Sequence, residues 1–141
     1  MLFRSSLMHV RAVPVASVPM MWPSVEKWLA SALEHAKGDY EVEHVRVYLT
    51  AGEWMLVVAE DETGVRGAAA IQFFNRPTSR VAFIVAIGGR LVSNTDTFDQ
   101  LKAVCKNQGA THVEGAARES IARLWSRYGF EEKYRIVGVK I

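Results

Sequence analysis

A single cysteine, Cys105, stands among the 141 residues, so no internal disulfide can form, and this sparing use fits a reducing compartment. No stretch of eighteen or more residues is apolar and free of charge, which excludes a membrane-spanning helix. Met1 to Met8 carries one positive charge and meets His9 and Arg11 before a long apolar region builds up, which argues against a signal peptide. The expectation is a soluble, cytoplasmic protein. Lysine and arginine never occur side by side, no zinc-finger spacing is present and no helix is studded with arginine, so nucleic acid is a poor partner. His9, His35 and His44 are isolated and lack ligand spacing, so no metal site is expected. There is no internal repeat, low-complexity tract or linker.

What the chain has in quantity is apolar surface. Half of the residues are hydrophobic, enough for one well-buried core, and 141 residues are too few for two ordinary domains, so residues 1–141 read as one domain. The formal net charge of +2 conceals an asymmetry: residues 1–62 carry five Lys/Arg against nine Asp/Glu, and residues 63–141 carry twelve against six. The basic second part would favour an anionic ligand, or is simply a solvated surface with scattered charges.

The periodicities divide the chain into ten segments. His9 to Val15 reads as a strand, ended by Pro14, Pro19 and Pro23. Val25, Trp28, Leu29, Ala32, Leu33 and Ala36 recur at helical spacing, with Ser24 as cap and Gly38 as stop. A weaker helix follows from Glu41 to about Ala51, with Val42, Val45 and Leu49 inward. Trp54–Ala59, Val65–Phe74 and Arg80–Ile87 are β-rich runs separated by the turns Asp61–Gly64 and Asn75–Thr78, an antiparallel meander. The third run is apolar throughout its core and is expected to be buried on both faces, ending at Gly88-Gly89. Thr97 and Gln100 predict a capping box for a helix with Phe98, Leu101, Val104 and Cys105 inward, closed by Gly109. The strand-like Thr111–Gly115 leads to a helix over Arg118–Tyr128 with Ile121, Leu124, Trp125 and Tyr128 as its stripe, closed by Gly129. Tyr134, Ile136, Val137, Val139 and Ile141 predict a last strand. The order β-α-α-β-β-β-α-β-α-β implies an α/β (α+β) fold: a mixed, mostly antiparallel sheet with helices on both faces.

Few residues offer chemistry. His112 and Glu114 alternate onto one face of their strand, where either would serve as a base if that face met a substrate; the plainer reading is a solvent-facing polar pair. Cys105 on a helix stripe reads as a buried apolar residue. Trp22 and Trp54, if exposed, would line a partner site, whereas large aromatics near element ends more commonly edge the core.

The element order resembles the GNAT superfamily of N-acetyltransferases. Arg118–Phe130 is similar to that family's Asn-x-x-Ala-x-x-Leu-Tyr-x-x-x-Gly-Phe helix, with Leu124, Gly129 and Phe130 in place. The resemblance implies acetyl-CoA as cofactor. A splayed strand, by position Val81–Ile87, would bind the pantetheine arm, and a helix N-terminus near Thr97 would hold the pyrophosphate. Ala86, Ile87, Gly88, Gly89, Arg90, Asn94 and Thr95 are the cofactor-binding candidates so implied, and Glu114, His112 and Tyr128 the catalytic ones. Two departures stand beside these matches. Gly88–Thr97 has no glycine next to the helix start, where Asn94, Thr95 and Asp96 would crowd the phosphates and Asp96 would repel them. Trp125 occupies the place where the family often has a tyrosine acid, and Tyr128 lies one turn later. From Ala86 to Ile141 the chain also resembles GNAT-like proteins of tailed phages and prophages, some of them virion or assembly components. The leading reading is therefore a GNAT-fold module with a degenerate acetyl-CoA site, a phage-type accessory or binding protein, virion-associated in that case. The alternative is an active acetyl-CoA-dependent N-acetyltransferase on a small-molecule or protein amine. The partner is then acetyl-CoA or a protein, and the last strand, if an exposed edge, would support a homo-oligomer.

Overall fold

The computed structural model describes residues 7–35 and 38–141. The leader reading of Met1 to Ser6 and the placement of Ala36 on a helix stripe lie outside the described residues. Five strands form one sheet in the order β1-β2-β3-β4-β5: β1 (His9–Ala12), β2 (Met55–Asp61), β3 (Gly64–Arg76), β4 (Ser79–Gly89) and β5 (His112–Gly115). The first four pair antiparallel and β5 joins β4 in parallel, through α3 (Thr95–Asn107). Helices α1 (Val18–Leu33) and α2 (Val42–Thr50) cover one face, while α3 and α4 (Glu119–Ser126) cover the other. The mixed, mostly antiparallel sheet with helices on both faces is the architecture expected from the sequence.

The alternation of strand side chains builds two cores. Leu56, Val58, Ala68 and Ala70 meet Val18, Trp22, Val25 and Leu29 of α1 and Val45 and Leu49 of α2. Val57, Ala59, Ala69, Ile71, Ala82 and Ile84 meet Phe98, Leu101 and Cys105 of α3 and Trp125 of α4. Burial of each large aliphatic side chain stabilises the fold by about 1.5–3 kcal/mol before entropy is counted.

The first helix starts seven residues earlier than Val25. Pro19 sits in its first two positions, where the missing N–H has no intrahelical partner anyway, and Pro23 one turn later forgoes a single hydrogen bond. The cap position is therefore Ser17, not Ser24, and the helix closes at Glu34, before Gly38. Trp22 and Trp54 are both 7% exposed, which removes them as surface sites; Trp54 stacks on Tyr48 at 4.4 Å between centroids. Helix α3 is capped by Asn94 rather than Thr97. The Asn94 Oδ1 accepts from the Thr97 N–H at 2.8 Å and from its hydroxyl at 3.0 Å, so Thr97 is an interior, buried residue. Gln100 lies outside any capping box: its side chain accepts from Val10 N–H and donates to the Met8 carbonyl, tying α3 to β1.

Two further expectations fail. Segment 131–141 forms no strand and every residue in it is exposed, including Ile136 and Val137 at 85% and 90%. In the α4 stripe only Leu124 departs, at 37% exposed, while Trp125 is buried and Ile121 and Tyr128 pack against the second core. The alternation in 134–141 is that of a strand, but a strand needs a neighbour, and this chain's own sheet stops at β5.

The end of β4 is packed too tightly for side chains. A Cβ on Gly88 would lie 2.9 Å from the Trp28 Cβ and carbonyl oxygen, and one on Gly67 2.7 Å from the amide nitrogens of Arg90 and Leu91. Gly89 has φ +69° and abuts the Arg66 carbonyl oxygen. Gly88-Gly89 therefore exists to bring β4 against α1 and β3 before the chain turns into α3. Gly89→Ala combines a left-handed backbone cost of about 1–2 kcal/mol with overpacking of about 1–3 kcal/mol. The variant is expected to show a clearly lower urea midpoint at unchanged slope, whereas an unaltered midpoint would mean this junction yields freely.

Candidate functional site

β4 and β5 pair over four residues only, Val81 with His112 through Ile84 with Gly115. Beyond Ile84 the strands part, and Val85–Gly89 keeps a neighbour in β3 but none on the β5 side. The Trp125 indole packs against Gly115 at this point: a Cβ on Gly115 would lie 2.9 Å from the ring and 3.5 Å from Ile84 Cβ, so no side chain fits there. The register with β3 also slips at this point, because Ile84 faces Ile71 and Ala86 faces Ala70, leaving Val85 as the extra residue of a β-bulge. The bulge turns Ala86 toward the α1 core while Ala82 and Ile84 stay on the α3 side. The expected splayed strand is thus Val85–Gly89 rather than Val81–Ile87, whose first four residues are paired. Phe83, Val85 and Ile87 are half-buried, so the strand is not enclosed on both faces along its length.

The N-terminus of α3 lies a short turn beyond β4, anchored by Leu91, its one buried residue. Thr97 N–H is satisfied by Asn94, and Phe98 N–H by the Asn94 carbonyl. The amides of Thr95 and Asp96 belong to the helix's first turn, whose N–H groups lack intrahelical acceptors and carry the positive end of the dipole. The Asp96 carboxylate is turned along the helix to accept from Gln100 at 3.0 Å. Its charge still opposes an anion, but it does not cover the helix end. Arg90 is exposed beside this turn.

Of the cofactor candidates, Ala86, Ile87, Gly88 and Gly89 line the free edge of β4, and Thr95 and Arg90 are exposed at the helix start. Asn94 spends its side chain on the cap. The catalytic candidates His112, Glu114 and Tyr128 line one cavity, of about 1500 Å³, between α3, α4 and the segment 129–136. Arg76 grips Glu114 with two hydrogen bonds, at 2.6 and 2.9 Å, and Lys133 adds a third at 3.1 Å. The Arg76 hydrogen bond chiefly holds the Glu114 carboxyl below the usual glutamate range, which makes it a weak base. His112 is exposed, with Nδ1 2.7 Å from the Thr111 hydroxyl. Tyr128 packs on Phe98, ring centroids 5.5 Å apart, as part of the core. Burial raises the Cys105 thiol to about 11, consistent with an inert apolar role. No group of three or more potential metal ligands occurs among the described residues. Sequence reasoning missed Val85, since a bulge leaves no mark in an all-apolar run, and Arg76, whose partner lies 38 positions away.

None of Val85–Gly89 lines the cavity of about 1500 Å³, which lies between β5, α3, α4 and the segment 129–136.

The fold recurs in solved structures. An aminoglycoside N-acetyltransferase, AAC(6')-Iy in complex with CoA, superposes with a TM-score of 0.69 at 16% identity, over 100% of this chain and 99% of that one. The fold is that of the GNAT acetyltransferases. A predicted acetyltransferase with acetyl-CoA from Clostridium acetobutylicum matches this GNAT fold at 0.63 and 15%, over 95% and 96% of the two chains. A transcriptional regulator from Bacillus halodurans matches it at 0.63 and 16%, over 96% and 100%. No protein-family model and no curated protein matches the chain.

The Glu114 carboxyl, depressed in the folded state, contributes stability that is full above its unfolded value near 4.5 and is lost as pH falls through the lower folded value. Arg76→Ala is expected to move the Glu114 titration, followed by carboxyl-carbon NMR, upward toward the unfolded value. It should also make acid unfolding begin at higher pH. An unmoved titration would show that Lys133 alone holds the carboxylate.

Proposed function

We propose that this chain binds acetyl-CoA in the opening between β4 and β5 and transfers the acetyl group to an amine by direct attack. The observation that carries the reading is the free backbone edge Val85–Gly89 leading to the open amides of Thr95 and Asp96. An extended edge is suited to an amide-bearing arm, and a helix N-terminus to a pyrophosphate. In the reaction the amine nitrogen forms a bond to the thioester carbonyl carbon, the carbon–sulfur bond breaks, and the thiolate departs with a proton from the amine. What the protein supplies is alignment of nucleophile and thioester in one cleft. No side chain among the catalytic candidates faces that cleft, so a substrate ammonium must first lose a proton to solvent before the attack, and turnover is slow, rising with pH as more amine is unprotonated.

A second reading has its own support. Trp125, at the position of the family's tyrosine acid, is 6% exposed and wedged against Gly115, and Glu114 is pinned by Arg76. A site with these features suits a GNAT-fold binding module with a degenerate acetyl-CoA site, including the accessory roles of phage-encoded GNAT-like proteins.

Calorimetric titration with acetyl-CoA separates the readings when paired with an assay of thiol release over a panel of amines. Micromolar binding with slow, pH-dependent turnover is expected, and Asp96→Asn should tighten binding roughly two- to five-fold, the value of one charge at a helix N-terminus, about 0.3–1 kcal/mol. Binding without turnover on any amine would leave only the module. Absence of heat at millimolar acetyl-CoA would overturn both the transfer reaction and the anion site.

A further inference from the structure

The free edge Val85–Gly89 has a different helical layer on each side. α3 belongs to one, and on the other α1 packs over β3 and β4. It meets the end of β4 at Trp28: a Cβ on Gly88 would lie 2.9 Å from the Trp28 Cβ and carbonyl oxygen, and one on Gly89 3.0 Å from Cε2 of the indole. The ring is half-buried, and the ammonium of Lys27 lies over it, 4.7 Å from the ring centroid. Lys27 itself is exposed. The ring that abuts the backbone of the opening thus carries a cation on its face.

How that ammonium is held matters as much as where. Cations elsewhere on the sheet are engaged by carboxylates: Arg11 by Glu60, Arg66 by Asp61 and Arg76 by Glu114. Lys27 makes no ion pair among the described residues, and neither does Arg90 beside the start of α3. An aromatic face attracts a cation through its quadrupole yet leaves the charge uncompensated. Lys27 is therefore held near the opening and still free to meet an anion. We propose that Lys27 is a diphosphate-binding residue, its ammonium pairing with the pyrophosphate of acetyl-CoA from the α1 side, opposite Arg90 and the first turn of α3. The inference rests on the acetyl-CoA reading above and adds to it a residue from the other layer.

Three considerations favour this role. The first turn of α3 is a weak anion site by itself, with no glycine beside it and with the Asp96 charge opposed to the ligand, so a cation from across the opening supplies what it lacks. A lysine is a compact point charge with rotatable donors, suited to a diphosphate approached from one side. Resting on the ring also restricts the side chain beforehand, so less freedom is lost when it binds. The pyrophosphate is assigned rather than the ribose phosphate because it follows the pantetheine arm directly, and so lies next to Gly88-Gly89 when that arm runs along Val85–Gly89.

The test is calorimetric titration of the full chain, Lys27→Gln and Lys27→Arg with acetyl-CoA, its dephospho form, S-acetylpantetheine and inorganic pyrophosphate, at low and at high salt. Lys27 is exposed, so both variants should keep the parent's circular dichroism and thermal transition. Lys27→Gln is expected to bind acetyl-CoA, the dephospho form and pyrophosphate roughly two- to five-fold more weakly at low salt, the range of one exposed ion pair. The deficit should fade at high salt, and Lys27→Arg should remove it. S-acetylpantetheine, which has no pyrophosphate, should bind all three proteins alike. In the parent, pyrophosphate should also shift the Trp28 indole N–H resonance as the ammonium leaves the ring. Equal binding of acetyl-CoA by parent and Lys27→Gln would overturn the inference and leave the acetyl-CoA reading standing. A deficit that vanishes with the dephospho form would overturn it too, by placing Lys27 on the ribose phosphate. A deficit for pyrophosphate without any affinity for acetyl-CoA would keep Lys27 as a diphosphate anchor and sink the acetyl-CoA reading. A parent that binds neither would overturn both.

Discussion

Four residue pairs, Val81–Ile84 against His112–Gly115, join β5 to the rest of the sheet, and the indole of Trp125 packs against Gly115 where the pairing ends. Most of what is distinctive in the molecule depends on that short pairing. It leaves one edge of Val85–Gly89 free and keeps β5 a short edge strand. The bulge at Val85 works in the same direction, since the extra residue breaks the side-chain alternation and directs Ala86 to the α1 core. Trp125 brings apolar area to the second core and no group that releases a proton at neutral pH.

The same economy governs the other end of the opening. Gly67, Gly88 and Gly89 let backbone lie against backbone and against Trp28, and this close approach aims the chain into Leu91 and then into α3. These glycines serve close packing at the end of β4. The anion-favouring feature that remains is the first turn of α3, with its two open amides, an Asn94 cap and an Asp96 whose carboxylate is drawn off by Gln100. Polar side chains thus act mainly as structural ties in this region. Gln100 joins Asp96 of α3 to the Met8 carbonyl and the Val10 amide of β1, and Arg76 joins β3 to Glu114 of β5.

Much of this was legible in the residues. The meander appeared because its turns carry Asp61–Gly64 and Asn75–Thr78, and the α2, α3 and α4 stripes because their apolar residues recur at helical spacing. Prolines misled the reading of α1: Pro19 and Pro23 look like breakers, yet the early turns of a helix tolerate them. The last strand was legible as a pattern but not as a structure, because alternation states which face wants burial and says nothing about which chain supplies the cover. The site was legible only in outline. Ala86–Gly89 and Thr95 were placed at the opening by their position before a helix, and Glu114 and His112 line one cavity, but the partner that disarms Glu114 comes from a distant strand. Long-range ion pairs and bulges depend on register, which composition does not encode.

The central claim is that Val85–Gly89 and the first turn of α3 form one binding surface. Mapping backbone amide chemical shifts during addition of coenzyme A tests it most directly. The account predicts perturbations confined to Val85–Gly89 and Thr95–Thr97, with Val81–Ile84 and the outer groove of β5 unmoved. Shifts centred on the Phe98, Trp125 and Phe130 groove, or none at saturating ligand, would contradict it.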